Sequence, residues 1–229
     1  MRGAAALALD EVRIAPSLGN LTRLPLSLEV GAGELAMISV IDQTQGNTFA
    51  NVAGGVIPAK SGTVSVLGQD WSRLDLDAAN DLRGRIGRLL TRGRWLEGLP
   101  IVENILLPQL HHSRRSREEL LHEAAHSARQ FGLPGIPTTS PQQMLPADLQ
   151  RAGFVRAFLG TPALVLLEEP TQDVPDEILP PLVNACLEAM HRGAAVVWLT
   201  CRQDLVHDPK IPAAHRFVAE AGNLLRVTI

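Results

Sequence analysis

Two adjacent carboxylates, Glu168 and Glu169, follow a wholly apolar run of strand length at residues 164–167. A buried strand that ends in acidic residues and a turn is a usual build of a nucleotide and metal site in phosphate-handling enzymes. Such a site also needs a loop of the form G-x-x-x-x-G-K-[ST], whose lysine binds phosphate and whose hydroxyl binds Mg²⁺. The chain has only two lysines, Lys60 and Lys210, and neither lies in such a loop. The carboxylates therefore leave three hypotheses: an ATPase, a former ATPase, or neither.

The composition argues against several classes of protein. The 229 residues are 45% hydrophobic and 20% charged, which suits one large α/β domain or a core with a small appended subdomain. The net charge of −3 gives no basic field for nucleic acid, so no nucleic-acid partner is expected. Two cysteines cannot form a disulfide framework or a four-cysteine metal site, which favours a reducing, cytosolic setting. His122 and His126 have helical spacing but no third ligand, so no metal site is predicted.

Apolar patterns predict strands near both ends of the chain and helices in the middle. Strands are predicted at 6–14, 25–30, 34–41, 63–67, 164–167 and 194–200, with a closing hairpin at 217–229. Helices are predicted at 47–54 (after a polar loop at 42–45), 101–110, 116–131 and 175–192. Ser116 is the expected N-cap of the third helix, because acidic residues fill the turn that follows it. No apolar run reaches the length of a membrane span, and the N-terminal segment is too short and too acidic for a signal peptide.

Five segments resemble, in order and spacing, the nucleotide-binding subunit of an ABC transporter over nearly the whole chain. They are LSLEVGAGELAMI at 26–38, AGGVIPAKSGTVSVLGQD at 53–70, IVENILLPQL at 101–110, QRAGFVRAFLGTPALVLLEEPT at 150–171 and AHRFVAEAGNLLRV at 214–227. The ENILLP run is similar to the subgroup of lipid- and lipoprotein-trafficking ATPases.

The resemblance implies an α/β, P-loop NTPase-like fold with a mixed or parallel sheet core, an antiparallel β-layer and an inserted helical subdomain. One domain would span 1–229, with the core and β-layer at 1–95 and 160–229 and the helical subdomain at about 96–159.

The resemblance places the family's phosphate loop on residues 42–48, where Gln45 and Gly46 stand in the cradle and Gly46 takes the lysine position. Asn47 takes the position of the metal-binding hydroxyl, and a shift of one residue would give that position to Thr48. In the Walker B strand, Glu168 replaces the usual aspartate and Glu169 keeps the identity of the catalytic base.

The other functional positions also depart from the family pattern. Thr91 takes the place of the Q-loop glutamine. The signature sequence falls on Met144, Leu145, Pro146, Ala147 and Asp148 and loses both of its glycines. Pro146 also removes a backbone donor. Cys201 takes the place of the switch histidine.

These departures predict a pseudo-ATPase with a structural or regulatory role on a membrane transport complex at the inner face of the cell membrane. The resemblance of the ENILLP run implies that the complex is lipid-related. The loss of the lysine and of metal ligands predicts weak binding of ATP and Mg²⁺ at most. A transmembrane permease would dock in the groove around residues 91–107, and a second nucleotide-binding subunit would complete a homodimer or heterodimer. Two alternatives remain: a weakly active ATPase that uses Glu169 with Asn47 or Thr48, and a soluble interaction module on the same fold. Arginines 83, 85, 88, 92 and 94 form either a basic patch for a partner or lipid headgroups, or a solvated face.

Overall fold

Two β-sheets and the helices around them make up the structure, a computed structural model that describes residues 5–18, 24–172, 174–220 and 223–227. The strands are β1 (Ala5–Arg13), β2 (Leu26–Gly31), β3 (Leu35–Ser39), β4 (Ser61–Val66), β5 (Gln69–Asp70), β6 (Ile86–Leu89), β7 (Leu164–Glu168), β8 (Ala195–Thr200), β9 (His215–Glu220) and β10 (Asn223–Arg226). The α-helices are α1 (Gln43–Ala53), α2 (Leu76–Arg83), α3 (Ile101–His112), α4 (Arg117–Gln130), α5 (Pro146–Phe158), α6 (Leu179–His191) and α7 (Gln203–Val206).

The larger sheet has six strands in the order β10-β9-β3-β8-β7-β6. All its neighbouring pairs are parallel except the β9–β10 hairpin. The smaller sheet has the order β2-β1-β4-β5 and is antiparallel throughout. The predicted mixed sheet core with an antiparallel layer is therefore confirmed.

The central strands β3, β7 and β8 are buried along their whole length, as parallel strands covered on both faces must be. One apolar core lies between the two sheets and includes α1, with Phe49 and Val52 as members. The other joins the opposite face of the large sheet to α3, α4, α5 and α6, with Trp198 and Phe154 among its largest buried side chains. Side chains alternate along β8 between the two cores, so this strand links both.

Local signals explain several element boundaries. Ser116 caps α4 with a full capping box, in which its hydroxyl accepts from the Glu119 amide and the Glu119 carboxylate accepts from the Ser116 amide. The helix predicted at 175–192 instead begins with a short 3₁₀ turn at 176–178 before α6. The predicted hairpin is formed by β9 and β10; residues 221–222 and 228–229 of that prediction lie outside the described residues. Helix α2 and strands β5 and β6 were not predicted.

No helix within the described ranges combines the length and the apolar character needed to cross a membrane. The division of the chain into a core and a helical subdomain stays a prediction.

Candidate functional site

Four chain segments meet beside the large sheet, at the carboxyl ends of its parallel strands β3, β6, β7 and β8. The segment after β3 leads into α1, and the segment after β6 carries Thr91. Strand β7 ends in Glu168 and Glu169, and β8 is followed by Cys201. The fold thus brings the phosphate-loop, Q-loop, Walker B and switch positions to these carboxyl ends.

The loop predicted at 42–45 is wrong, because α1 begins at Gln43, directly after its N-cap Asp42. Asp42 has extended backbone angles, and its carboxylate accepts from the Gln45 amide at 2.8 Å. An aspartate at this position is a strong helix N-cap, which explains the early start. The positions that would form an open phosphate cradle are instead wound into the first turn of a helix.

The backbone amides of Ile41, Gln45 and Gly46 are bonded within the chain. The Ile41 amide donates to the Gln45 side-chain oxygen at 2.8 Å, and the Gly46 amide donates to the Asp42 carbonyl at 3.2 Å. With the Gln45 amide on the Asp42 carboxylate, an anionic group of the protein takes the place that phosphate oxygens occupy at a helix N-terminus.

Gly46, at the lysine position, is buried. A Cβ built there would lie 3.5 Å from Val40 Cγ2, which is ordinary contact, so crowding at that atom does not explain the glycine. Thr48, the next residue but one in α1, is also buried.

Glu168 is buried and forms an ion pair with Arg88, whose Nε lies 2.6 Å from Oε1. Its Oε2 accepts from the Asn47 side-chain amide at 3.0 Å. The Asn47 side-chain oxygen in turn accepts from Asn51 at 3.0 Å. Both candidate metal ligands are therefore bonded to other side chains, and a guanidinium neutralises the carboxylate that a metal ion would neutralise.

The hypothesis of a basic patch that includes Arg88 is wrong for that residue. Its side chain is mostly buried in the pair with Glu168, and its Nη2 atom has no hydrogen-bond partner within the described part of the chain.

Glu169 is held by the backbone of β8. Its Oε1 accepts from the Cys201 amide at 2.5 Å, and its Oε2 accepts from the Thr200 hydroxyl at 3.2 Å. The residue has a left-handed φ of 46°, a strained conformation that persists only when its surroundings fix it. The side chain of Gln150 contributes to this by donating to the Pro170 carbonyl at 2.9 Å. Both oxygens of the candidate base thus serve as fixed acceptors.

Cys201, at the switch-histidine position, has an exposed but inert thiol. Desolvation, and after it the carboxylates of Glu169 and Asp42, raise the pKa of this thiol to about 12. A thiol with so high a pKa is neutral at physiological pH and neither attacks nor binds a metal readily.

Thr91 lies at the start of an unusual loop. Its hydroxyl is buried without a partner among the described residues. The next three residues, Arg92, Gly93 and Arg94, all have a left-handed φ, of 54°, 70° and 42°. The guanidinium of Arg156 holds the loop by donating to the Gly93 carbonyl at 2.6 Å.

The signature position forms the start of α5. Leu145 is the N-cap and provides no side-chain bond to the helix, and Pro146 is the first helical residue. Leu145 is 70% exposed, Met144 is partly buried, and Asp148 pairs with Arg151 at 2.8 Å. With Ala147 beside them, these side chains replace the bare glycine backbone that the family pattern would place here.

A groove of about 260 Å³ separates α3 from the end of β6. It is lined by apolar and basic side chains, which include Leu90, Leu96, Leu107, Arg94 and Arg156. Leu107 is 44% exposed on α3. The groove coincides with the surface that the sequence predicts for a permease partner.

Sequence reasoning missed Arg88, Asp42 and Asn51, which hold the site in its present form. An arginine 80 positions from a glutamate gives no sequence signal of their pairing. The cap was open to prediction, because Asp42 is followed three residues later by Gln45 in a capping-box spacing.

The described residues do not fit ATP and Mg²⁺ in the way the fold would suggest. The Gln45 amide, the metal-facing carboxylate of Glu168 and the candidate base Glu169 all have partners from the chain itself. No group of three or more His, Cys, Asp or Glu side chains within the described ranges is arranged to hold a metal ion.

Comparison with known proteins finds relatives that are named as ATP-binding proteins. The chain is 29% identical over 187 residues to the lipoprotein-releasing system ATP-binding protein LolD of Anaeromyxobacter dehalogenans. The aligned part covers 81% of this chain and 76% of that protein. It is 28% identical over 204 residues to the macrolide export ATP-binding/permease protein MacB of Escherichia coli K12, covering 88% of this chain but only 30% of that protein. No protein-family model matches the chain.

Solved structures share the fold. An ATP-binding subunit of an ABC transporter superposes with a TM-score of 0.82 at 17% identity, covering 98% of this chain and 90% of the other. The dimeric bacterial ABC transporter cassette MJ0796 gives a TM-score of 0.82 at 20% identity, covering 96% and 97%. The same cassette with ADP and phosphate gives 0.79 at 18% identity, covering 96% and 97%. The predicted fold class is confirmed.

Proposed function

We propose that this chain, an ABC transporter ATP-binding subunit of the LolD and MacB type by sequence and fold, acts without hydrolysing ATP, as a structural or regulatory subunit of a membrane transport complex. One observation carries the proposal: groups of the chain itself bind the atoms that would otherwise contact phosphate and metal, and they also fix the carboxylate of the candidate base. Asp42 caps the first turn of α1, Arg88 pairs with Glu168, and Glu169 is bound by the backbone of β8.

The energetic argument favours the internal partners. Mg²⁺ at Glu168 would have to displace Arg88, which loses a charge-assisted bond worth about 1.5–3 kcal/mol and leaves the guanidinium close to the metal ion. A charge-assisted bond to phosphate is worth about 1.5–3 kcal/mol, and Gly46 cannot provide it. At about 1.4 kcal/mol per tenfold, these losses lower nucleotide affinity by several orders of magnitude.

The experiment is a thermal unfolding titration of the purified chain with ATP·Mg²⁺, beside a phosphate-release assay. A ligand present at about a hundred times its Kd stabilises the native state by about 2.7 kcal/mol. For a chain of this size that corresponds to a rise in Tm of about 5–10 °C. The proposal expects no resolvable rise and no phosphate release above the rate without protein. The LolD relative serves as the positive control under identical conditions.

The alternative of a weakly active ATPase makes the opposite prediction. It requires Mg²⁺-dependent turnover that is abolished in the Glu169→Gln variant. Nucleotide binding in the micromolar range together with such turnover would refute the proposal.

The permease partner is proposed to dock in the groove between α3 and the end of β6. The lining of leucine and arginine side chains suits an apolar segment that carries acidic groups. The MacB relative carries ATP-binding and permease parts in one protein by its name, which supports a permease as the partner. The LolD relative is named for lipoprotein release, which supports a lipid-related cargo, and docking would hold the chain at the inner face of the membrane.

Pairing with a second nucleotide-binding subunit is also proposed, because the MJ0796 cassette with the same fold forms a dimer. The resemblance implies that each ATP site of such a dimer combines the phosphate loop of one subunit with the signature sequence of the other. This chain departs from the family pattern in both parts, at Gly46 and at residues 144–148. A heterodimer with an intact subunit would therefore have two weakened sites, which favours a structural role over a shared catalytic one.

A further inference from the structure

A second pocket, of about 420 Å³, lies between the left-handed loop after Thr91 and the start of α5. Its walls are mainly apolar and come from Trp95, Pro146 and Leu149, with Arg92, Glu169 and Gln172 as polar members. A mainly apolar concavity of about 300–1,000 Å³ with a few polar groups is the usual form of a small-molecule site. The proposed function involves only Glu169 and the signature residue Pro146 among these residues and gives the pocket itself no role.

Two polar atoms on its lining residues lack partners. Trp95 Nε1 is a donor and Gln172 Oε1 is an acceptor, and neither has a hydrogen bond within the described residues. Unpaired buried polar atoms are unfavourable and uncommon in folded proteins. Both atoms have almost no accessible surface, so they belong to the wall of the pocket and do not face its interior.

The loop that forms one wall is fixed in shape. A Cβ added to Gly93 would come within 2.0 Å of Trp95 Nε1, so only glycine allows the indole to pack at this position. On its other side the indole is covered by the guanidinium of Arg156, 4.4 Å from the ring centroid. Arg92 and Arg94 adopt left-handed backbone angles that disfavour non-glycine residues. Strain of this kind gathers at ligand-binding sites, because it holds side chains ready before the ligand arrives.

The charges of the pocket favour an acidic ligand. Arg92 is exposed and forms no salt bridge in the described part of the chain. Glu169, by contrast, already accepts bonds from the Cys201 amide and the Thr200 hydroxyl. The cation is thus the charge that still lacks a partner.

We propose that this pocket binds an amphipathic organic acid, with its acidic group at Arg92 and its apolar body against Trp95 and Leu149. The site is independent of whether the chain hydrolyses ATP. Its position between the loop after Thr91 and the signature position means that a bound ligand would tie these two segments together.

Two dyes of the same shape test the proposal. 8-Anilinonaphthalene-1-sulfonate has an apolar body, a donor N–H and a sulfonate, and N-phenyl-1-naphthylamine has the same body and donor without the sulfonate. Fluorescence titration of the folded chain should show one saturable site for each dye. The ratio of their affinities isolates the contribution of the charge, whatever the apolar contribution.

The Arg92→Gln variant should reduce the sulfonate preference about tenfold, as expected for loss of one partly exposed charge-assisted contact. Arg94→Gln is the matched control, because Arg94 has the same left-handed backbone but lines the groove at α3 instead. Leu149→Arg should abolish binding of both dyes while cooperative unfolding is retained.

Three results would overturn the proposal. They are the absence of a saturable site in the wild-type chain, an equal loss of preference in Arg92→Gln and Arg94→Gln, and displacement of the dyes by ADP, which would place them in the nucleotide site. None of these results depends on the phosphate-release assay.

Discussion

The pair of Arg88 and Glu168 decides the chemistry at the Walker B position. An arginine that bonds a buried carboxylate at 2.6 Å gives the charge balance that a divalent ion would give elsewhere. The guanidinium is part of the chain, so its pairing with the carboxylate does not depend on the concentration of a free ion. The presence of Arg88 in place of a divalent ion as the partner of this carboxylate changes the site more than the extra methylene of glutamate over aspartate does.

Arg88→Met is expected to lower the free energy of unfolding by about 3–5 kcal/mol, because Glu168 would stay buried without its cation. The double variant Arg88→Met with Glu168→Leu should recover most of that loss, since apolar replacement of a buried pair is often neutral. Urea unfolding measures both changes. Arg85→Met, an exposed neighbour on the same segment, is the control; a loss in Arg88→Met no larger than in this control would contradict the assignment.

The thiol of Cys201 reports on the charge of Glu169. Because the raised pKa of about 12 keeps the thiol protonated, its alkylation at pH 8 should be at least about tenfold slower than that of a free thiol. Glu169→Gln removes one of the carboxylates that raise this pKa and should accelerate the reaction. Cys186 is fully buried and does not react in the native state. Mass spectrometry of the native chain measures the rate, and equal rates in the wild type and Glu169→Gln would show that Glu169 does not act on the thiol.

At the scale of elements, the start of α1 determines whether the chain can hold phosphate. Asp42 turns the residues after β3 into helix and fills the helix N-terminus with a carboxylate. The resulting element is stable without any ligand.

Asp42→Ala should lower the free energy of unfolding by about 1 kcal/mol through loss of the cap. It should also leave free amides at the N-terminus of α1, so that sulfate stabilises the variant more than the wild type. Asp75→Ala is the matched control, because Asp75 caps α2 in the same way, at 2.8 Å from the Ala78 amide. An equal gain from sulfate in both variants would mean that α1 has no anion site beyond the general effect of an uncapped helix.

Most of the sheet was predictable from sequence, because the fully buried strands β7 and β8 are continuous apolar runs of strand length. The start of α1 was missed because the polar residues 42–45 were interpreted as a loop, although the cap signal at Asp42 was present. The state of the carboxylates could not be predicted, since the partners of Glu168 and Glu169 lie 80 and 32 residues away along the chain. Such contacts are set by tertiary packing and leave no local pattern.

At the scale of the whole molecule, the two cores meet through the large sheet, and the groove at α3 lies over its edge strand β6. Arg88 lines this groove and also binds Glu168. A segment docked in the groove would therefore contact the residue that holds the Walker B carboxylate. The groove proposed for docking and the buried carboxylate of Glu168 are thus joined by a single side chain, Arg88.

The docking proposal predicts that membrane association depends on the groove. In the source cells, the wild-type chain should sediment with membranes, and Leu107→Asp should shift it to the soluble fraction, because a charge on the partly exposed α3 face opposes an apolar partner. Leu76→Asp is the matched control, since Leu76 is 75% exposed on α2 and does not line the groove. Both variants should keep the wild-type Tm, because neither leucine is buried. If both chains remain on the membrane, the groove is not the contact; if the wild type itself stays soluble, the interaction-module alternative replaces the transporter role.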